Sequence, residues 1–381
     1  MKNTLILSFA LIFLSCEGKK KEVAITEDDI EEIGISHARG FTISKSLSGI
    51  TTIAVNSPWP NSESGFIYAL IPKSKAANVA LNRDSYDAVI YTPVEQIVAT
   101  STTHIPALEA LGVDGKLVGF PDLKYISSLA TRKRIEAGEI LELGNNESMN
   151  SEMVIALRPD VVIGFSINNQ NKAYNSLERA GIPVVYNGDW TEETPLGKAE
   201  WIKFFAPFFG LEKKADSIFE DISSSYNMAK GIAAKAKYQP TILSGALYKD
   251  VWYLPGGKSW AAQFLKDANT RYLWQAGNDA GSLSLSLESV LERARYADYW
   301  ISPSQFTSYD QLFAANSHYS QFKAFQKKKV FTFASTRGET GGLLYYELGP
   351  NRPDLILKDL IHIFHPELLP RHKLFFFKPL K

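Results

Sequence analysis

The chain has 381 residues, 45% of them hydrophobic and 22% charged, with 41 basic and 41 acidic residues and a formal net charge of zero. That length exceeds one ordinary hydrophobic core and predicts two domains, while the balanced charge argues against nucleic acid, whose binding rests on neutralising phosphates. The 7 Trp, 17 Tyr and 22 Phe exceed what a minimal core demands, which leaves some of them to line a binding surface.

Residues 1–16 read as a targeting segment: Lys2 supplies the charged start, residues 5–14 the short apolar core and Ser15 the small residue before the cut. The apolar run is too short to span a bilayer, and no later stretch approaches the needed length. Cys16 is the only cysteine, so no intramolecular disulfide can form. Residues 17–40 are expected to be a tether, flexible over the charged, apolar-poor run 17–22.

Residues 41–212 are expected to form a first lobe. Its opening part, 41–91, is β-rich: 51–55 and 66–71 are joined by a loop carrying Pro58 and Pro60, and 88–91 is parted from 96–99 by Pro93. The polar run Thr100-Ser101-Thr102-Thr103-His104 opens a helix through Leu111 that Gly112 caps, and 117–120 is a further strand. Met149, Met153, Ala156 and Leu157 recur at i, i+4, i+7 and i+8 and line one face of a short helix. Pro159 stops it, and Asp160 leads into a buried strand over 161–165. Glu152 sits in that helix's first turn, where the dipole favours a carboxylate, and points toward solvent. A helix over 169–180, a strand over 182–186 and a helical stretch over 195–209 follow. This alternation predicts a parallel sheet with helices on both faces, whose ligands bind outside the carboxyl ends of the strands. The loops 100–104, 121–125 and 187–191 lie at such ends.

Residues 213–237 carry the longest helical pattern, with Ala215, Ile218, Phe219, Ile222, Tyr226, Ala229 and Ala233 on one stripe. At roughly 1.5 Å per residue it would run about 35 Å, long enough to cross between two domains as a rigid strut. A second unit, 238–365, holds strands at 241–247, 299–301 and 329–333, helices at 260–266, 286–294 and 353–365, and a shorter apolar stretch at 310–313. The tail 366–381 has no clear period. Leu287, Val290, Leu291 and Ala294 repeat the helical stripe, with Glu288 near its start and Asp298 before a strand, so both halves read exposed Glu, packed helix, Asp, buried strand.

The run from Ile97 through Gly112, the Asn150-Ser151-Glu152 and Leu157-Arg158-Pro159-Asp160 segment, Gly181-Ile182-Pro183-Val184 and the stretch 286–301 together resemble the lipid-anchored substrate-binding proteins of ABC importers for iron–siderophore, haem and cobalamin. The resemblance covers about 94–360; residues 41–91 have no match in its minimal members. It implies a helical-backbone periplasmic binding protein fold: α/β, two lobes each built on a central, mostly parallel sheet flanked by helices, joined by one long rigid helix. It implies a monomer, with no cofactor of its own, that holds a metal chelate (iron–siderophore or cobalamin, or haem) in the cleft between lobes and delivers it to the importer's permease. One surface Glu per lobe would dock on permease arginines, here Glu152 and Glu288. Cys16 resembles the lipidated cysteine of a bacterial lipobox, which would hold the protein on the periplasmic side of the cell envelope.

Cleft candidates follow from the loops. Trp252 and Tyr253, after a second-lobe strand, suit a large flat ligand, with Trp252 best placed; the plain alternative is core packing. Tyr125 and Trp190 are first-lobe loop aromatics on the same predicted cleft. Arg337, in a loop after the last strand of the second lobe, would complement an anionic chelate, or be a solvated loop residue. Thr103 and His104 sit at the first ligand-facing loop. His104 has no second His, Cys or clustered acid near it in sequence, so no metal ligand set is expected, and a chelated metal is favoured over a bare ion. Gly256-Gly257-Lys258-Ser259 lacks the first glycine of a phosphate loop, which excludes nucleotide binding there. The alternative function is a secreted, lipid-anchored α/β hydrolase using Ser101 or Ser259, but no Gly-x-Ser-x-Gly elbow occurs and the histidines follow no triad order. The protein is therefore expected not to be an enzyme.

Overall fold

The computed structural model describes residues 30–381 apart from 57, 61, 63, 64, 78, 80 and 169. The targeting segment, Cys16 and the first part of the tether lie outside the described residues. The chain first builds a five-stranded sheet, β1 (Ile30–Ile33), β2 (Phe41–Ser46), β3 (Thr51–Val55), β4 (Phe66–Pro72) and β5 (Ala88–Thr92), antiparallel except for β4 against β5. Five parallel strands follow: β6 (Ile97–Ala99), β7 (Leu117–Phe120), β8 (Leu141–Glu142), β9 (Val161–Gly164) and β10 (Val184–Tyr186), in the order β10-β9-β6-β7-β8. Successive side chains on a strand point to opposite faces. Ile97, Ala99, Val161 and Ile163 accordingly pack under the helices His104–Leu111 and Ile202–Phe205, while Val98, Val162 and Val184 pack with Val154, Tyr174 and Leu177 on the other face. The first sheet joins the former core through Phe41, Ile53 and Leu70, and Tyr68 accepts a hydrogen bond from the Tyr186 amide at the β10 edge, 2.9 Å.

The second lobe holds β11 (Thr241–Ser244), β12 (Ala246–Tyr248), β13 (Val251–Pro255), β14 (Arg271–Tyr272), β15 (Ser282–Leu285), β16 (Tyr299–Ile301), β17 (Val330–Thr332) and β18 (Lys378–Pro379). Its main sheet runs β14-β11-β16-β17-β18, parallel but for β18, and a separate antiparallel sheet runs β12-β13-β15. The expected single strand 241–247 is thus two strands in two sheets. Gly245, at φ +78°, turns the chain between them, where an added Cβ would collide with the Tyr253 carbonyl.

The strut is the helix Glu212–Ala233, 22 residues and about 33 Å long. Its first half gives Ala215, Phe219 and Ile222 to the first lobe's core and its second half gives Tyr226, Ala229 and Ala233 to the second lobe's. Either half is buried in its own lobe, so the helix cannot bend without opening a core.

Three expectations are corrected. The tether ends earlier than residue 40: β1 pairs with β2, the Glu200 carboxylate accepts the amides of Ser36, His37 and Ala38 at 2.6–3.1 Å, and Glu192 accepts those of Arg39 and Gly40. The tail is part of the second lobe, because the buried Asp359 carboxylate gathers the amides of Phe375, Phe376 and Phe377 and steers β18 onto β17. The stretch 195–209 is not one helix but Pro195–Glu200, Ile202–Phe205 and a 3-10 turn, Ala206–Phe208.

The paired pattern of the two halves has a common build. Asn150 caps the helix Ser151–Leu157 and Ser286 caps Leu287–Ala294, each through its side chain to the third helical amide. Glu152 and Glu288 are then the second residues of matching helices, both exposed. Past those helices Asp160 accepts the amides of Glu95 and Gln96, just before β6, and Asp298 accepts the Thr241 amide at the start of β11. Each Asp pins its own strand to the one beside it. Burial opposes the charge on Asp298, but the Lys323 ammonium and the Thr241 amide and hydroxyl hold its carboxyl well below the usual range.

Candidate functional site

In an open parallel sheet the crevice for a ligand lies where the strand order reverses, beyond the carboxyl ends of the strands. In the second lobe that point falls between β11 and β16. A cavity of about 250 Å³ opens there, over Ser244 and Gly245 at the end of β11 and Ile301, Ser302 and Ser304 at the end of β16. Ser302 and Ser304 both adopt positive φ, 53° and 51°, a left-handed backbone that costs non-glycine residues energy. Aromatic rings form the walls. Phe333 stacks on Tyr345 at 4.4 Å, Trp260 leans on Tyr345 at 5.6 Å, and Tyr248, Tyr253 and Tyr346 form an exposed rim.

Of the paired candidates on β13, only one reaches this cavity. Tyr253 is 42% exposed and lines it, whereas Trp252 is fully buried, stacked on Trp300 at 5.5 Å with its Nε1 donating to the Ser244 carbonyl at 3.0 Å. Placing Trp252 foremost at the cleft is therefore corrected. Neighbours on a strand face opposite ways, and the inward face of β13 takes Trp252 and Leu254. Trp260, Tyr248, Phe333, Tyr345 and Tyr346 were missed by the sequence reading. The alternation in 251–255 was a usable signal; the Tyr345-Tyr346 pair, in a loop-flanked helix of five residues, offered none.

Arg337 stands beside the cavity but does not enter it. Its Nε donates to the Ala334 carbonyl at 2.7 Å and an outer nitrogen to Gln305 Oε1 at 3.0 Å, which folds its own loop. That replaces the expected charge complement to an anionic ligand.

On the first lobe a polar trough of about 720 Å³ lies over the ends of β7, β8 and β9, with Asp122, Asn145, Asn146, Phe165 and Asn168 among its walls. Trp190 reaches it through Phe165, whose ring it meets edge-on at 5.5 Å, while its indole N–H is committed to the Pro58 carbonyl. His104 is corrected outright. It is fully buried against Phe205, and burial pushes its pKa down to about 4 against the opposing pull of Asp189 and Asn187, so it is a neutral core residue. Thr103 lends its carbonyl to Asn351 of the second lobe at 2.9 Å, which makes it a lobe-to-lobe contact. Tyr125, 54% exposed, lies on another such seam. There Gly338 and Gly342 bring the second lobe's backbone against Ser127 and the Tyr125 carbonyl, and a Cβ on Gly338 would stand 2.6 Å from the Ser127 Cα.

The seam has a polar lock. Glu347, 2% exposed, accepts the Ser127 and Ser128 amides at 2.5 and 2.9 Å across the lobes. Burial pushes its carboxyl up to about 7 against the pull of those two amides, with Glu109 adding to the rise. Lys198 is a second bridge: its ammonium donates to the Asp189 and Trp190 carbonyls and sits 5.4 Å from the Trp260 ring on the cavity wall. Among the described residues no group of three His, Cys, Asp or Glu side chains is arranged to hold a metal ion, and no helix is long and apolar enough to cross a membrane.

Two α/β lobes on one stiff helix, each with its concavity at the carboxyl ends of its own sheet, make a bilobed α/β architecture. Residues 97–336 match the periplasmic binding protein family, and the chain belongs to it. It is 28% identical over 298 residues to an uncharacterized lipoprotein of Methanocaldococcus jannaschii, covering 76% of this chain and 69% of that protein. It is 25% identical over 204 residues to a vitamin B12-binding protein of Vibrio parahaemolyticus, covering 53% and 68%. Similar solved structures include a possible iron-binding, periplasmic solute-binding protein of Staphylococcus epidermidis, at TM-score 0.58, 17% identity and coverage of 72% of this chain and 100% of that one. A periplasmic heme binding protein of Pseudomonas aeruginosa aligns at TM-score 0.57, 19% identity and coverage of 76% and 98%. By family the protein is thus a periplasmic binding protein. The sheet β1–β5 precedes the matched span.

Proposed function

We propose that the protein captures a metal chelate, an iron–siderophore, a cobalamin or haem, between its lobes and hands it to the permease of an ABC importer. The observation that carries this reading is the aromatic cavity at the β11–β16 reversal, lined by Trp260, Tyr253 and Phe333 and suited to a flat cargo. The relatives named for vitamin B12, iron and heme support the same cargo class. In this reading Tyr253 contacts cargo from the second lobe, and Tyr125 and Trp190 border it on the first. Glu152 and Glu288, matched in position on the two lobes, dock on permease arginines through charge-assisted hydrogen bonds. Lipid on Cys16 holds the molecule to the periplasmic side of the envelope membrane as a monomer with no cofactor of its own.

Intrinsic tryptophan fluorescence tests this directly, because Trp260 stands in the cavity wall. Saturable quenching by cyanocobalamin, haem or a ferric chelate is expected. No response to any of them, together with native mass spectrometry that finds no co-purifying metal chelate, would sink the proposal.

A further inference from the structure

The charge of the cavity narrows its cargo further, given the metal-chelate reading above. None of the described residues that line it is charged; its polar side chains are Ser244, Ser282, Ser302 and Ser304, four tyrosines and the Trp260 indole. Two cations beside it, Arg337 and Lys198, are already engaged. Arg337 directs its guanidinium to Ala334, Gly341 and Gln305, and Lys198 its ammonium to two carbonyls, 5.4 Å from the Trp260 ring. Lys249, exposed at the β12–β13 turn, rests 5.6 Å from the Tyr248 ring and is followed at once by Asp250. Negative charge also stands close by. Glu109 lies by the seam, and the first-lobe trough carries Asp122 and Glu147 against Lys172.

Aromatic rings present a negative face, which attracts cations and repels anions. An anion taken from water into such walls trades its hydration for a few neutral hydroxyl and indole donors and gains no opposite charge. A chelate whose entering face is uncharged meets neither cost. We infer that the cargo is an electroneutral or cationic chelate that presents an uncharged, flat face to the second-lobe cavity, and that polyanionic chelates are refused.

The test compares three probes on the full folded protein by fluorescence quenching: cyanocobalamin and a ferric tris-hydroxamate, both uncharged, and a triply negative ferric tris-catecholate. At least one uncharged probe should bind with an affinity that changes less than about twofold between about 50 and about 500 mM NaCl, as expected when no ion pair forms. The tris-catecholate should bind at least about a hundredfold more weakly. Tyr346→Arg, a change on the exposed rim, should raise tris-catecholate affinity by about tenfold and weaken the uncharged probe. A tris-catecholate that binds the unaltered protein as tightly as any uncharged probe overturns this inference and leaves the chelate reading intact. Failure of all three probes, and of haem tested beside them, overturns both.

Discussion

Adjacent residues on β13 should respond in opposite ways to the same substitution. Trp252 is fully buried between Trp300, Tyr319 and Phe322, so Trp252→Ala opens a large cavity, a change that costs about 3–5 kcal/mol in well-packed cores. Loss of the Nε1 bond to the Ser244 carbonyl adds about 1 kcal/mol. A total of about 4–6 kcal/mol approaches the whole stability of an ordinary domain, so Trp252→Phe is the milder companion. Tyr253→Ala removes a half-exposed ring and should change stability by no more than about 1 kcal/mol. If that ring contacts cargo, the same change should cost about ten- to a hundredfold in affinity. Urea unfolding followed by near-ultraviolet circular dichroism reads the first effect, and fluorescence titration with the bound chelate reads the second. A Tyr253→Ala protein of unaltered affinity, beside a Trp252→Phe protein that is fully stable yet binds poorly, would mean that the strand faces the other way.

Three further outcomes follow from the seam, the surface acids and the strut. The folded protein holds the Glu347 proton up to about pH 7, against 4.5 for a free carboxyl, so this group's contribution to stability is full below about 4.5 and is lost as pH rises toward 7. The gap corresponds to an upper bound of roughly 3 kcal/mol; Glu347→Gln should flatten that part of the stability–pH curve, and an unchanged slope would count against a raised pKa. Replacing Glu152 and Glu288 together by Ala should abolish uptake in a transport assay while leaving chelate affinity intact; loss of binding instead would remove them as docking points. Small-angle scattering profiles with and without chelate should nearly superimpose, because the strut is buried in both cores, and a large compaction would refute the stiff-hinge reading.

What the sequence made legible, and what it hid, divides by the range of the interaction. Strands β6, β9, β10 and β16 and the strut announce themselves because their β-branched runs or helical stripes are local patterns. The matching Glu-helix-Asp-strand units were readable for the same reason, though the use of each Asp was not: Asp160 and Asp298 bond to residues more than fifty positions away. The clamp on 36–40 was hidden likewise, since Glu192 and Glu200 lie about 160 residues downstream and look like ordinary helix acids. The tail looked patternless because its order comes from Asp359 rather than from any period. In the site, His104 shows how a polar residue at a loop mouth can turn inward, and Tyr345 and Tyr346 become wall and rim only once the seam folds their short helix against Phe333.

The strut carries an inheritance of its own. A helix turns by about 100° and rises about 1.5 Å with each residue, and both ends of Glu212–Ala233 are locked into separate cores. One inserted or deleted residue between Ile222 and Tyr226 would swing one lobe by more than a quarter turn about the other. The Gly338–Ser127 and Glu347–Ser128 contacts would part, and Glu152 and Glu288 would point along new bearings. Loops elsewhere can drift in length with little consequence. This helix sets the phase between two half-molecules, and its residue count is as constrained as any side chain in the cleft.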